Sequence, residues 1–201
     1  MDLSTNYMGL KLKNPIIAGS SGLTNSVENI VKLEKAGVGA VVVKSLFEEQ
    51  IMMEIDSYDT DSYFVEGADY LSYFVKDKNL KDYLSMIKEA KEKTTIPIIA
   101  SINCTTSTEW INFAKNLEAT GVDGIELNIF IMPSNLDQDS SEIEKKYFEI
   151  IKSVLEVTNI PIAVKISPYF TSLAKMIKKL SETGIKGLVL FNRFFSPDID
   201  I

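Results

Sequence analysis

Several polar residues stand where short apolar runs end, and their types suit the holding of a small ligand. Gly19 and Ser20 follow PIIA, Lys44 and Ser45 follow VVV, and Asn103, Asn128, Lys165 with Ser167, and Asn192 close four further runs. An asparagine amide can both donate and accept. A lysine carried on a rigid strand end offers a fixed positive charge with little reorganisation. The chain has no histidine, which excludes Ser-His-Asp chemistry and argues against a transition-metal site. Its single cysteine, Cys104 in SINCTT, reads as a compact buried hydrophobe rather than a nucleophile.

The elements that carry these residues recur. Pro-Ile-Ile-Ala occurs at 15–18 and at 97–100, and Pro161-Ile-Ala-Val164 is a variant. Ala36-Gly-Val-Gly-Ala40, Thr120-Gly-Val-Asp-Gly124 and Thr183-Gly-Ile-Lys-Gly187 each lead into a further apolar run. A helix that ends at glycine in the left-handed region, followed by a buried strand, accounts for this pattern. Strands are predicted at 15–19, 40–45, 97–102, 124–129, 161–166 and 187–192. Helices are predicted at 25–36, 78–93, 107–120, 141–157 and 171–183. In 107–120, Trp110, Phe113, Ala114 and Leu117 recur at helical spacing.

Strands apolar on both faces and joined by helices imply a parallel α/β sheet, either doubly wound or closing into a barrel. Polar residues at every carboxyl end favour a (β/α)8 TIM-barrel type, because in that fold those ends converge on one functional face. A complete barrel has eight strands in ~250 residues. The 201 residues here accommodate six strands, so a single domain over 1–201, truncated after the sixth strand, is expected. Segment 48–78, containing MMEIDSYDTDSYFVEGADYLSYF, is long for a loop. It reads as a lid-like insertion at the functional face, or as a homo-oligomer contact or packing flap.

Composition narrows the partners. The net charge of −7 argues against nucleic acid. No run approaches the length of a membrane span, and MDLSTNYMGLKLKN is no signal peptide. One cysteine permits no internal disulfide, consistent with a reducing cytoplasm. A small-molecule substrate is the expected partner.

The runs NPIIAGSSG, AGVGAVVVKS, SIN, IELN, IPIAVKISPYF and LFN, in that order, resemble the dihydroorotate dehydrogenase family of FMN-dependent β/α barrels. The resemblance extends from about Met8 to the end, where FNRFFSPDIDI is similar to a run well before the family's C-terminus. It implies FMN as cofactor, with Ala18, Gly19 and Ser20 against the flavin and Lys44 and Ser45 beside ring and substrate. It implies flavin or substrate contacts for Asn103 and Asn128, and a place at the pyrimidine end of the ring for Lys165. Asn192 matches a substrate-contacting asparagine. A fixed ammonium near N1 and O2 would stabilise the negative charge of reduced flavin.

Three departures qualify the resemblance. The family's base is a Cys, or Ser in membrane-bound relatives, within a run like Asn-x-Ser-Cys-Pro-Asn. Here Asn128 is followed by Ile-Phe-Ile-Met-Pro-Ser-Asn. If Pro133 matches the family proline, Met132 holds the base position, and a thioether cannot take a proton. Ser134 is the nearest hydroxyl, so Lys44 and Ser134 remain the catalytic candidates. The second departure is that 48–78 lacks the family's Asn-x-x-Gly-like run. The third is that the phosphate of FMN commonly binds after strands seven and eight, so reduced FMN affinity is expected. Three readings follow: a flavin oxidoreductase with altered substrate, a Schiff-base aldolase using Lys165, or a non-catalytic barrel fragment.

Overall fold

The structure, a computed structural model, describes the backbone of residues 1–59, 65–132 and 135–192, and their side chains except 56–59, 65–72 and 107. The chain opens with an antiparallel hairpin, β1 (Thr5–Tyr7) and β2 (Leu10–Leu12). β3 (Ile17–Ala18) leads through a 3-10 turn (Gly22–Thr24) to α1 (Val27–Lys35). Next come β4 (Ala40–Val42), β5 (Leu46–Phe47), α2 (Glu48–Asp59) and α3 (Val65–Lys93). Strand and helix then alternate: β6 (Ile98–Asn103), α4 (Ser107–Glu118), β7 (Gly124–Asn128), α5 (Ser140–Leu155), β8 (Ile162–Ile166), α6 (Leu173–Ser181) and β9 (Gly187–Leu190).

Strand order distinguishes the two α/β alternatives. The main sheet runs β3-β4-β6-β7-β8-β9, with β5 also on β6, and every pairing is parallel. A doubly wound sheet reverses its order at a switch point. Here order in space follows order in sequence, the winding of a β/α barrel, and among the described residues the sheet stays open between β3 and β9. The fold is an incomplete TIM-barrel topology, as expected.

Strand parity sorts the core into two unlike faces. Val41, Val43, Ile98, Ala100, Ile102, Ile125, Leu127, Ile162, Val164 and Ile166 are buried in the cluster that holds the helices' apolar stripes. Trp110, Phe113, Ala114 and Leu117 of α4 lie in that cluster, as their spacing predicts. Burial of each large side chain contributes about 1.5–3 kcal/mol. The other face, turned inward, is small and apolar only near the floor, where Met8, Val42, Ile99 and Ala163 pack together. Above them it becomes polar.

The glycine repeats behave as expected. Gly37, Gly121 and Gly184 have φ of +100°, +73° and +102° and end α1, α4 and α6 in the left-handed region that a side chain disfavours. The hairpin was not expected. Its turn has φ +56° at Met8 and +83° at Gly9, the sign pattern of a two-residue hairpin turn. It seats against the amino ends of the strands. A Cβ on Gly124 would fall 2.9 Å from Met8 Cε, and one on Gly187 would fall 2.9 Å from Tyr7 Oη.

Two predicted elements differ. Segment 48–78, expected as a long loop, is helical over Glu48–Asp59 and from Val65 onward. Ile51 and Ile55 of α2 are buried one turn apart, a short apolar stripe masked in sequence by neighbouring acids, methionines and tyrosines. The strand predicted at 40–45 stops at Val42 and resumes at Leu46.

Candidate functional site

The interruption at 43–45 has a clear origin. β4 pairs with β6 at Ile98 and Ile99, β5 pairs with it at Ile102 and Asn103, and the intervening Ser101 has no ladder partner on that side. The phenol of Tyr83, from α3, fills the gap: it donates to Ser101 O at 2.8 Å and accepts from Ser101 N at 2.9 Å. A buried backbone pair left unsatisfied would be costly. The bulge finds its own partners in the loop after β3. Lys44 N donates to Thr24 O at 3.1 Å, and Ser45 N donates to Ser20 Oγ at 2.8 Å. Two of the predicted site residues therefore stand out of the ladder, at the cavity.

Asn128 and Lys165 occupy one register position across β7 and β8. Asn103 is buried and donates through Nδ2 to the Asn128 carbonyl at 2.7 Å. Asn192 N donates to Ile166 O at 2.8 Å, extending the ladder by one residue. The buried Oδ1 of Asn128 and Nδ2 of Asn192 have no hydrogen-bond partner among the described residues.

These residues converge on a cavity of about 740 Å³ at the carboxyl ends of the strands. Ser20, Lys44, Ser45, Asn103, Asn128, Lys165 and Asn192 all line it. Ala18 and Gly19 are not among its lining residues. Gly19 has no positive φ, and a Cβ there would meet nothing within 4 Å, so the protein's own packing does not demand glycine at this position. Ser134 and Pro133, and the run from Arg193, lie outside the described residues.

Below the cavity a polar row crosses the barrel interior. Ser20 Oγ lies 3.0 Å from Ser45 Oγ, which lies 2.7 Å from Ser101 Oγ. Ser101 donates to Glu126 Oε1 at 3.2 Å, and Lys165 Nζ lies 3.9 Å from the same oxygen. Glu126 is 3 % exposed. Burial pushes its pKa up, against the pull of the Lys165 ammonium and the Ser101 hydroxyl. Sequence reasoning passed over this residue. The signal was a lone acid between Ile125 and Leu127 in a strand buried on both faces, a place where acids are almost always paired.

The opposite wall comes from the loop after β7, where Phe130 and Met132 line the cavity in the stretch expected to carry a base. Tyr147 of α5 is buried beside this loop and shares a second hollow with Ile131 and Ser167. Cys104 is buried. Desolvation, with Glu48 and Glu109 adding to it, pushes its thiol well above the usual range, which leaves it protonated and unfit as a nucleophile. Glu48, another buried acid missed from sequence, accepts from Thr105 N at 2.7 Å, Thr105 Oγ1 at 2.9 Å and Thr106 N at 3.2 Å. It pins the start of α2 to the loop after β6. Among the described residues no helix is long and apolar enough to cross a membrane, and no cluster of metal-ligating side chains occurs.

Comparison with known proteins agrees with this architecture. The catalytic subunit of a dihydroorotate dehydrogenase B (NAD(+)) from Endomicrobium trichonymphae is 24% identical over 213 residues, spanning 100% of this chain and 64% of that protein. The corresponding subunit from Thermoplasma volcanium is 28% identical over 212 residues, spanning 100% of this chain and 65% of its relative. A putative dihydroorotate dehydrogenase A (fumarate) from Aeropyrum pernix is 26% identical, again over 64% of its length. The chain thus spans under two thirds of the length of these relatives. Among solved structures, dihydrodipicolinate synthase from Agrobacterium tumefaciens superposes with a TM-score of 0.54 at 16% identity, covering 86% of this chain and 52% of that one. That likeness concerns the fold alone. The family model described as dihydroorotate dehydrogenase matches residues 2–201, and the chain belongs to that family.

Proposed function

We propose that this chain forms the flavin-facing part of an FMN-dependent oxidoreductase whose small-molecule substrate differs from dihydroorotate. The observation that carries this reading is a pair of buried amide atoms without a partner among the described residues, Asn128 Oδ1 and Asn192 Nδ2, in residues that line one cavity with Lys165. Buried polar atoms are nearly always satisfied. Unsatisfied amides in the wall of a cavity that also holds an ammonium suit a planar ligand with alternating donor and acceptor edges, which an isoalloxazine has. The freedom at Gly19 is consistent with a flat ring lying against Ala18, Gly19 and Ser20.

In this reading Asn103, Asn128 and Lys165 hold the edge of the ring, with Lys165 at its pyrimidine end. Ser20, Lys44 and Ser45 flank it, and Lys44, Asn128 and Asn192 reach the substrate. Bound FMN would supply a two-electron acceptor for hydride from a CH–CH bond. Lys165 stabilises negative charge developing at its end of the cavity. Phe130 and Met132 exclude water from the opposite wall. Met132 offers no lone pair basic enough to accept a carbon-bound proton, so a substrate needing the family's Cys or Ser base is a poor one. Lys44 and Ser134 are the remaining proton-transfer candidates.

Titration of the purified protein with FMN, followed by flavin fluorescence and visible absorbance, tests the reading. Saturable quenching with a shifted flavin spectrum is expected, weakened by Asn128→Ala and Lys165→Met. No change up to about 1 mM FMN, the millimolar limit of useful affinity, would defeat it. The aldolase alternative needs a free amine at Lys165, whose Nζ here faces the Glu126 carboxyl. Borohydride trapping of a carbonyl compound on Lys165 would reverse this preference.

A further inference from the structure

We infer that Glu126 is a positioning residue for Lys165, and that the row Ser20, Ser45, Ser101 fixes the Glu126 carboxyl in place for that role. The inference rests on the flavin reading only for its consequence at the ligand; the pairing itself is independent of any ligand.

The contacts along the row support it. Ser101 Oγ lies 3.2 Å from Glu126 Oε1, Ser45 Oγ lies 2.7 Å from Ser101 Oγ, and Ser20 Oγ lies 3.0 Å from Ser45 Oγ. Ser20 Oγ in turn accepts from Ser45 N at 2.8 Å. In a continuous row of this kind each bond polarises the next.

The backbone fixes the row in place. Ser101 is clamped by Tyr83 through both N and O, and Glu126 is its register partner on β7. Lys165 lies one strand further, two residues along from the position paired with Glu126. Among the described residues its ammonium has one charged partner within salt-bridge distance, the Glu126 carboxyl 3.9 Å away. Tyr7, whose pKa burial and the charge of Glu126 together raise to about 12, closes the underside without neutralising the acid. Removing Glu126 would leave the ammonium without a fixed counter-charge, and a flexible four-carbon stem would let it wander.

Pulse labelling of the ligand-free protein with an amine-reactive reagent, read by mass spectrometry at Lys165 and Lys44, tests the pairing. Both lysines line the same cavity, so Lys44 reports any general loosening. In Glu126→Gln the labelling of Lys165 is expected to rise about fivefold relative to Lys44, since the flexible amine is then no longer held against a carboxyl. Ser101→Ala, a milder change that keeps the carboxyl, is expected to raise the same ratio about twofold. An unchanged ratio in both variants, or an equal rise at both lysines, would overturn the inference. FMN titration of wild type and Glu126→Gln separates the two proposals. Failure of wild type to bind FMN defeats the flavin reading while the labelling ratio still decides the pairing. Binding by both with an unchanged ratio defeats the pairing alone.

Discussion

The carboxyl ends of β7 and β8 and the loop that follows β7 lie on the same cavity yet differ in kind. Asn128 and Lys165 are locked in one register pair, and their side chains are polar and line the cavity. Two residues later the chain presents Phe130, then Ile131 and Met132, apolar throughout. Strand-borne groups are constrained by the ladder, by inward parity and by the polar row beneath them. The loop beyond Ile129 has left the ladder, so its inner residues can change without breaking a strand pairing. The contrast teaches that the chemistry a strand end offers and the chemistry its loop offers can part company within five residues.

The largest effect expected is one that would erase the contrast. In FMN-loaded protein, Met132→Cys should speed flavin bleaching by dihydroorotate at least ~10²-fold, the lower end for a positioned general base. Rapid bleaching of the wild type in stopped-flow would show that the loop had kept a base elsewhere. On the strand side, Lys165→Met should slow flavin reduction by whichever substrate is found by ~10²-fold, comparable with loss of one oriented electrostatic donor. A drop under threefold would place Lys165 outside the reacting region.

Two smaller predictions sharpen the structural half of the comparison. Tyr83→Phe strands the N–H and C=O of Ser101 and should cost about 2 kcal/mol in urea denaturation. Neutral stability would mean that water replaces the phenol. The smallest effect concerns pH. Glu126 has a raised folded-state pKa, so the folded protein holds this proton more tightly than the unfolded chain. Its contribution is complete below the unfolded value of ~4.3 and is lost as pH rises through the folded value. Stability should decline over that window with a slope of at most one proton, about 1.4 kcal/mol per pH unit. Glu126→Gln should flatten the decline; an unaltered slope would assign it to another group.

Much of this was legible in the sequence because periodicity carries it. The alternation of apolar runs and amphipathic segments gives the sheet, the glycine repeats give the helix ends, and polar residues after each run mark the functional face. What escaped was set by pairing rather than by pattern. The break at Val43 to Ser45 depends on Tyr83, which is forty residues away along the chain and on a helix. Glu126 looked like part of a strand motif, and only the register shows that Ser101 and Lys165 meet it. The α2 stripe of Ile51 and Ile55 was too short to stand out beside the tyrosines and acids that follow. The hairpin at Thr5–Leu12 was overlooked because three-residue strands leave almost no periodic signal, although Met8-Gly9 marks its turn.

That hairpin also constrains the order in which the molecule can be completed. Tyr7 and Met8 precede every strand of the main sheet along the chain, yet the surfaces they rest on include Gly124 and Gly187. Tyr7 must wait for about 180 further residues before its seat at β9 exists, on the order of ten seconds or more at ribosomal speed. During that interval Tyr7, Met8 and Leu10 have no floor to close. β9 is therefore the strand that lets Tyr7 dock, so the floor beneath the barrel interior is completed only once β9 is in place.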